Sequence, residues 1–364
     1  MKPSNYFPSI DILRGFAAIS VVVYHVIEIF EWKSYPIEGL AVWFRIGWMG
    51  VDLFFVISGF VIALSAFSEI DKHGPTAFRN PFMRRRLARI VPLHYLTCLV
   101  FVALVVPQLL FGGIFWNALT HLLFIHNLFP GFHGAINGAN WSLGVEMQFY
   151  LLMLVLAPWI QRANLWRLAG VFVLSAWAWR LGCTILYPVV GDQGAGELFQ
   201  ISSQLPGALD EFVAGILLAR FVCTERGSVL LKKAKLWGLP LAAAGVWVTQ
   251  FIFWRYTYWD IPAMVVFFKS LLALACVLTV FAACTLNARW WLVLTKPLRY
   301  LGVISYGIYL WHLPVLLTLK ELKWLTPQQA LPYALALTIC LAMVSWHWVE
   351  KPFIRRYANK PVTP

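Results

Sequence analysis

Charged residues are scarce in this sequence of 364 residues, since Asp, Glu, Lys and Arg together make up only 12% of it. Soluble globular domains carry roughly 25%, so a soluble multidomain enzyme is excluded. Acidic residues are especially few, 16 against 29 Lys and Arg, which leaves a formal net charge of +13. The sequence is not low in hydrophobic residues, as disordered chains are. It also has no basic blocks that are free of apolar runs. These absences exclude a disordered chain and a nucleic-acid-binding protein.

Motifs for metal or redox chemistry are missing as well. The six cysteines lie in or at the ends of apolar stretches without a CxxC pair, which is typical of buried free thiols. No HExxH motif occurs, and His121, His126 and His133 are not spaced to share one face of a helix. The sequence therefore predicts no metal site and no bound cofactor.

Long apolar runs fill the chain instead, and its mean hydropathy is +0.72. Ten runs have about 20 residues each, the length with which an α-helix crosses roughly 30 Å of hydrocarbon. They cover residues 10–30, 47–66, 90–111, 141–160, 165–187, 205–223, 236–254, 262–285, 298–319 and 329–349. We predict an all-α integral membrane protein, a bundle of about ten transmembrane helices in which residues 1–364 form one domain. The longest polar stretches, 67–89 and 188–204, are predicted to be loops.

The orientation in the membrane depends on segment 114–128, a short eleventh apolar stretch. If it does not span, 20 of the 29 Lys and Arg residues fall on one side of the membrane and five on the other, with four inside spans. If it spans, the basic segments 224–235 and 351–360 move to the side opposite the arginines of 84–89. Lys and Arg concentrate on the cytoplasmic side of membrane proteins. We therefore predict ten spans, both termini in the cytoplasm, and an outer or re-entrant loop at 112–140.

The first span contains two ionisable residues, Arg14 and His25. Such residues are costly inside a bilayer and are functional candidates. Eleven steps of about 100° bring His25 back to the helix face of Arg14, about 16 Å further along the axis. We predict that Arg14 lies near the inner surface and that His25 is a base facing the bundle interior.

Further ionisable residues fall at the depth of His25, in the outer third of the membrane, when about 1.5 Å per residue is counted along each span. The whole set comprises His25, Asp52, Glu146, Arg180, Asp210 and His312. A polar layer drawn from six helices is expensive against lipid, so it predicts a water-accessible pocket that opens outward. A purely structural ion pair of Arg180 with Asp210 or Asp52 stays open as the alternative for part of this set.

The inner end of the third span carries an arginine cluster at 84–89. Arg86 and Arg89 lie at i and i+3 on one face where the helix is predicted to begin, which suits bidentate binding of a phosphate. The cytoplasmic charge bias alone also explains the cluster. Ser58, beside Gly59, lies about 16 Å into the second span, where small residues admit another helix or a slender ligand. These positions predict that a phosphate-bearing compound binds from the cytoplasmic side. They also predict that the polar layer, where the reaction occurs, faces the outer side of the membrane.

Six blocks of this sequence resemble the acyltransferase-3 family of multispan membrane O-acyltransferases. They are, in the order expected for the family, IDILRGFAAISVVVYHV, GVDLFFVISGFVI, RRRLARIVPLHY, NWSLGVEMQFYLL, ISYGIYLWHLP and HWVEKPF. The resemblance covers essentially the whole chain, and the conjunction of the blocks in order is far more specific than any one of them.

The resemblance implies transfer of an acyl group, most often acetyl, from cytoplasmic acyl-CoA to a hydroxyl of a glycan, commonly at the bacterial inner membrane. It also implies that Arg14 and His25 are the basic residue and the catalytic histidine of the first-helix motif. Some members carry a C-terminal extracytoplasmic esterase-like domain, whereas this chain stops 15 residues after the last predicted span. We therefore expect a stand-alone enzyme or one that relies on a partner protein.

The predicted mechanism uses His25 as general base on the acceptor hydroxyl and Glu146 to orient the imidazole or the acceptor. The residues predicted to bind the co-substrate acyl-CoA are Arg14, Ser58, Arg86 and Arg89. The residues predicted to line the acceptor pocket are Asp52, Asp210 and His312. The predicted partners are acyl-CoA, a polysaccharide, O-antigen or oligosaccharide acceptor, and membrane lipid.

A secondary transporter or a lipid-linked glycan flippase would also suit a polar pocket inside the membrane. Repeat symmetry and discontinuous helices in paired positions would favour transport, and the sequence gives no sign of either. A structural scaffold or receptor leaves the polar layer unexplained. The enzyme is therefore the favoured interpretation, with transport as the alternative.

Overall fold

The computed structural model describes residues 7–189 and 191–358, and all regular secondary structure in these two ranges is helical. The α-helices are α1 (Ile10–Ile29), α2 (Gly50–Ala77), α3 (Arg79–Leu104), α4 (Ile114–Leu122), α5 (Trp141–Arg162), α6 (Leu165–Leu186), α7 (Gly191–Ser202), α8 (Leu209–Val222), α9 (Glu225–Lys233), α10 (Gly238–Arg255), α11 (Pro262–Thr285), α12 (Arg289–Leu294), α13 (Lys296–Val303), α14 (Ser305–Glu321), α15 (Pro327–Ser345) and α16 (Lys351–Phe353). The 3-10 helices are Leu40–Met49, Pro107–Phe111, His126–Leu128, Gly138–Asn140 and Leu205–Ala208, and Trp346–Glu350 and Ile354–Ala358 are π-helical. The predicted all-α class is confirmed.

Helices suited to crossing a membrane follow the predicted spans closely. Among the described residues, seven segments are long and apolar enough by themselves, and two bent pairs, α9 with α10 and α13 with α14, qualify together. These nine coincide with nine of the ten predicted spans. The remaining span, 205–223, contains α8, whose 14 residues extend only about 21 Å. A multispan membrane protein is confirmed, while the count of ten stays a prediction. The termini, residues 1–6 and 359–364, lie outside the described residues.

Several predicted boundaries are wrong because helices continue through polar residues. The expected loop at 67–89 is mostly helical, since α2 extends to Ala77 with a kink at Gly74 (φ 87°) and α3 begins at Arg79. Ion pairs of Glu69 with Lys72 (3.8 Å) and His73 (3.5 Å), one turn apart, support the end of α2. The expected loop at 188–204 contains α7.

Proline sets the other end of α3. This helix stops at Leu104 rather than continuing to 111, because the residue before Pro107 cannot stay helical without a clash. The only α-helix between α3 and α5, all of whose residues the structure describes, is α4, which is nine residues long, or about 14 Å. Helix α4 is thus too short to cross a bilayer, and the outer position of 112–140 stays a prediction.

The chain divides into two compact units. The first unit comprises residues up to Leu13, Asp52–Phe78 and Val145–Lys296, and the second comprises Arg14–Val51, Arg79–Gly144 and the residues from Pro297 onward. In the first unit, α11 packs against α6, α8 and α10.

Within the first unit, helices α2 and α8 approach each other through glycine. A Cβ at Gly59 would meet the backbone of Phe212, and a Cβ at Gly215 would meet the carbonyl oxygen of Val56. Small residues allow such close backbone approach between membrane helices.

Gly59→Ala is expected to lower the free energy of unfolding by about 1–3 kcal/mol, because the added methyl group must push two helix backbones apart. Gly170→Ala in α6 is the matched control, since a Cβ there meets nothing within 4 Å. Denaturant titration in detergent measures both. Equal stability of the two variants would contradict the close approach.

In the second unit, α1 packs on α14 and α15. Val26 contacts a cluster formed by Val315, Leu316, Leu319 and Ala334, all of which are buried. A buried glycine, Gly307, lets α14 approach α15 near Ala342. This packing places the C-terminal part of α1 beside α14.

Candidate active site

His25 lies in the C-terminal half of α1, in the second unit, and is half-buried. Its Nδ1 atom is 2.9 Å from the carbonyl oxygen of Val21, one turn earlier. A carbonyl oxygen can only accept, so Nδ1 carries the proton and Nε2 of the neutral ring carries the lone pair. The helix backbone therefore orients the imidazole and presents Nε2 as a base.

His312 of α14 contacts His25. The two ring centroids are 4.9 Å apart, with the planes inclined at 47°. The Nδ1 atom of His312 is 2.5 Å from the carbonyl oxygen of Tyr309, so this ring also has its proton on Nδ1. The sequence placed the two histidines at one depth, and the structure brings them together.

The predicted donor arginines, Arg14, Arg86 and Arg89, all belong to the second unit and are half-buried. Arg89 donates to the carbonyl oxygen of Val303 (3.3 Å), and its guanidinium lies 5.6 Å from the ring centroid of Trp346.

The expectation that Arg86 and Arg89 open the third helix is wrong. Helix α3 begins at Arg79, about two turns earlier, so its free N–H groups are not beside this pair.

Glu350 is a buried carboxylate that sequence reasoning missed. It is 0% exposed, at the end of the π-helical turn Trp346–Glu350, and Arg89 and Arg14 are the cations that act on it electrostatically. Its place in the block HWVEKPF was the only sequence signal. The second unit thus has a buried carboxyl group that interacts electrostatically with Arg89 and Arg14.

Ser58 and Glu146 contact each other in the first unit. Ser58 donates to Oε1 of Glu146 over 2.8 Å, and the hydroxyl of Tyr150 donates to the same oxygen over 2.5 Å. The hydroxyl of Ser58 therefore points to a carboxylate on α5. Tyr150, one turn after Glu146, was not recognised from the sequence.

Asp52 takes part in a charged cluster inside the first unit. The Nζ atom of Lys269 lies 3.1 Å from Asp52 and 3.4 Å from Glu211, and all three residues are buried. Sequence reasoning assigned no role to Lys269 or Glu211. Asp52 thus has a structural partner in addition to its predicted role in the acceptor pocket.

Asp210 forms an ion pair with Arg180, the pair that the sequence left open as purely structural. Nη2 of Arg180 is 2.5 Å from Oδ2 of Asp210, which also accepts from Ser270. Both charged side chains are buried. The pair satisfies Asp210 without a ligand, and the six-residue layer as a whole stays a prediction.

Three histidines, His94, His121 and His126, stack in the second unit. The ring centroids of His121 and His126 are 4.1 Å apart. Burial, followed by the neighbouring His126, lowers the pKa of His121 to about 3, so this ring is neutral. Stacked rings do not aim their lone pairs at one point, and residues 7–189 and 191–358 contain no group of three side chains able to hold a metal ion.

These features define a class of protein: a multispan all-α membrane protein with ionisable groups buried among its helices. A family model described as an acyltransferase domain matches residues 7–348. The chain therefore belongs to the acyltransferase-3 family, as its sequence blocks indicated.

The names of similar proteins describe the transfer of acetyl or other acyl groups. "Putative peptidoglycan O-acetyltransferase YrhL" of Bacillus subtilis is 28% identical over 96% of this chain and 55% of its own length. "Peptidoglycan O-acetyltransferase OatA" of Listeria monocytogenes is 27% identical over 96% and 56%. "Putative membrane-bound transacylase BcsY" of Komagataeibacter xylinus is 29% identical over 99% and 86%. The chain thus spans about half the length of the first two relatives. No solved structure matches it.

Proposed function

We propose that the protein is a membrane O-acyltransferase, and specifically an O-acetyltransferase, of the bacterial inner membrane. It moves the acyl group from cytoplasmic acyl-CoA to a hydroxyl of a cell-surface or secreted glycan on the outer side. Family membership and the names of the relatives support the reaction class. The observation that carries the proposal is His25, whose Nδ1 is committed to the Val21 carbonyl and whose ring is not fully buried.

The donor end of the proposed site consists of Arg14, Arg86 and Arg89. Arginine suits phosphate because its guanidinium donates two parallel hydrogen bonds. Arg14 shares α1 with His25, about 16 Å away along the axis. Acyl-CoA therefore binds with its phosphates at the arginines and its thioester toward His25.

The proposed reaction is direct transfer. Nε2 of His25 takes the proton of the acceptor hydroxyl as its oxygen attacks the thioester carbonyl. The C–S bond then breaks, and the CoA thiolate takes the proton from His25. The products are an O-acyl ester and free CoA, and His25 returns to its neutral form.

Two residues of the first unit keep the roles predicted from the sequence as proposals. Ser58 contacts the acyl-CoA arm, and Glu146 orients the acceptor or the imidazole of His25. The hydroxyl groups of Ser58 and Tyr150 both donate to Oε1 of Glu146 and hold its carboxyl group in place. Asp52, Asp210 and His312 remain proposed neighbours of the acceptor.

The experiment uses full-length protein in liposomes with radiolabelled acetyl-CoA on one side and candidate glycans on the other. We expect label on the glycan that mild alkali releases, because O-esters are alkali-labile and amides are not. Uptake of the glycan into the liposomes without consumption of acetyl-CoA would instead support the transporter.

Arg86→Ala and Arg89→Ala are each expected to raise the KM for acyl-CoA about 10- to 100-fold with a smaller change in kcat, because a hydrogen bond to a charged group contributes about 1.5–3 kcal/mol. Arg167→Ala, on the exposed first turn of α6, is the control. Initial rates over a range of acetyl-CoA concentrations measure the effect. An unchanged KM in both variants would place the phosphates elsewhere.

A further inference from the structure

We propose that His312 is a positioning residue for the base: its Nε2 atom accepts a hydrogen bond from His25 after His25 has taken the acceptor's proton. This rests on the proposed role of His25. It gives His312 a part in proton transfer, which differs from the predicted part in binding the acceptor.

The buried ring of His312 has one nitrogen in use and one without a partner. His312 is 0% exposed, and its Nδ1–H donates to the carbonyl oxygen of Tyr309. Its Nε2 atom has no hydrogen-bond partner among residues 7–189 and 191–358. Buried polar atoms are rarely left unpaired, and an unpaired one at a functional site calls for an explanation.

The neighbouring ring supplies that explanation. His25 lies 4.9 Å away between centroids, and its Nε2 atom also bears a lone pair when the ring is neutral. Two lone pairs cannot form a hydrogen bond. Once His25 is protonated, its Nε2–H becomes a donor that needs an acceptor, and Nε2 of His312 is a vacant one.

The backbone around His312 is held in place within the second unit. The hydroxyl of Tyr309 donates to the carbonyl of Ala139 (2.8 Å), and Asn137 donates to the carbonyl of Leu310 (3.1 Å). On the other side, Val26 of α1 packs on Val315 of α14. The two imidazoles therefore sit on helices whose contacts fix their separation.

The proposed bond forms only after proton transfer. In the resting state both rings are neutral and no N–H···N bond joins their Nε2 atoms. When the acceptor's proton reaches His25, the imidazolium donates to His312, and the bond is lost again when the thiolate takes that proton. An interaction present in the transition state and absent from the ground state raises kcat without changing substrate binding.

The test compares His312→Gln with His312→Met in the full-length protein. Both side chains are unbranched and similar in volume, but only Gln provides a strong acceptor oxygen. We expect His312→Met to lower kcat about 10- to 100-fold, the effect of a hydrogen bond to a charged group, with the KM for acetyl-CoA within twofold. His312→Gln should retain most of the activity. Equal kcat values for the two variants would overturn the proposal.

A double variant separates positioning from structural support. If His312 acts only through His25, then adding His312→Met to His25→Ala leaves the residual rate unchanged, because the proton acceptor is already gone. A further fall by the factor seen for His312→Met alone would show an independent role and refute the proposal. Thermal unfolding of each variant in detergent checks that the Gln and Met proteins are equally folded.

The same set of variants distinguishes this inference from the proposed function. Full activity of His25→Ala would remove the base itself. Loss of activity in His25→Ala together with normal rates in both His312 variants would remove only the role of His312.

Discussion

His25→Ala is expected to reduce acyl transfer about 100- to 10,000-fold, the range that a general base contributes. Alanine cannot take the acceptor's proton, and the hydroxyl oxygen is a weak nucleophile without that help. The KM for acyl-CoA should change little, because the phosphates are proposed to bind at Arg14, Arg86 and Arg89, and Arg14 lies about 16 Å from His25 along α1. Single-turnover assays with radiolabelled acetyl-CoA and purified protein in liposomes measure the loss.

The matched control is His73→Ala. His73 is an exposed histidine near the end of α2, with its Nε2 atom 3.5 Å from Glu69, and it has no part in the proposed site, so its replacement should leave the rate unchanged. Size-exclusion profiles and unfolding temperatures of the two variants should agree with those of the unaltered protein. A fully active and folded His25→Ala protein would rule out His25 as the base.

Lys269→Met is expected to lower the free energy of unfolding by about 3–5 kcal/mol, the cost of breaking a buried ion pair by removing one partner. Lys269 lies within 3.4 Å of both Asp52 and Glu211, and burial keeps water from replacing it. The variant therefore leaves Asp52 and Glu211 without the cation that both contact. Denaturant titration in detergent measures the change.

Two comparisons test the cause of this loss. Lys72→Met removes an exposed pair with Glu69 (3.8 Å), and such pairs contribute at most about 1 kcal/mol. Adding Glu211→Gln to Lys269→Met should recover part of the stability, because it removes one uncompensated charge. If Lys269→Met were no less stable than Lys72→Met, the cluster would not be holding the first unit together.

Both predictions depend on the low dielectric inside a membrane domain. A fixed partner stabilises a carboxylate or an imidazolium far more there than it would in water, because the electrostatic interaction is stronger at low dielectric constant. The first unit meets this need with permanent ion pairs, Arg180 with Asp210 and Lys269 with Asp52 and Glu211. For the second unit we propose that a charge arises on His25 only during the reaction.

Features that repeat along one helix could be predicted from the sequence. Apolar length predicted nine of the structure's candidate spans, because the hydrocarbon thickness fixes the number of residues that a helix needs. The shared face of Arg14 and His25 followed from the helical repeat alone. The failures were at helix ends, as in α2 and α3, where polar residues continue a helix that hydropathy treats as finished.

Contacts between helices were decided by the tertiary structure. Depth along each span placed His25 and His312 at one level, but only packing through Val26 and Val315 brings the two rings together. Asp52, Lys269 and Glu211 come from helices far apart in the chain, and so do Ser58 and Glu146. The sequence by itself determined the fold class, the family and the residues to consider, because these depend on local length and spacing. The rotation of each helix determined which of those residues meet, and that rotation depends on the packing of its neighbours.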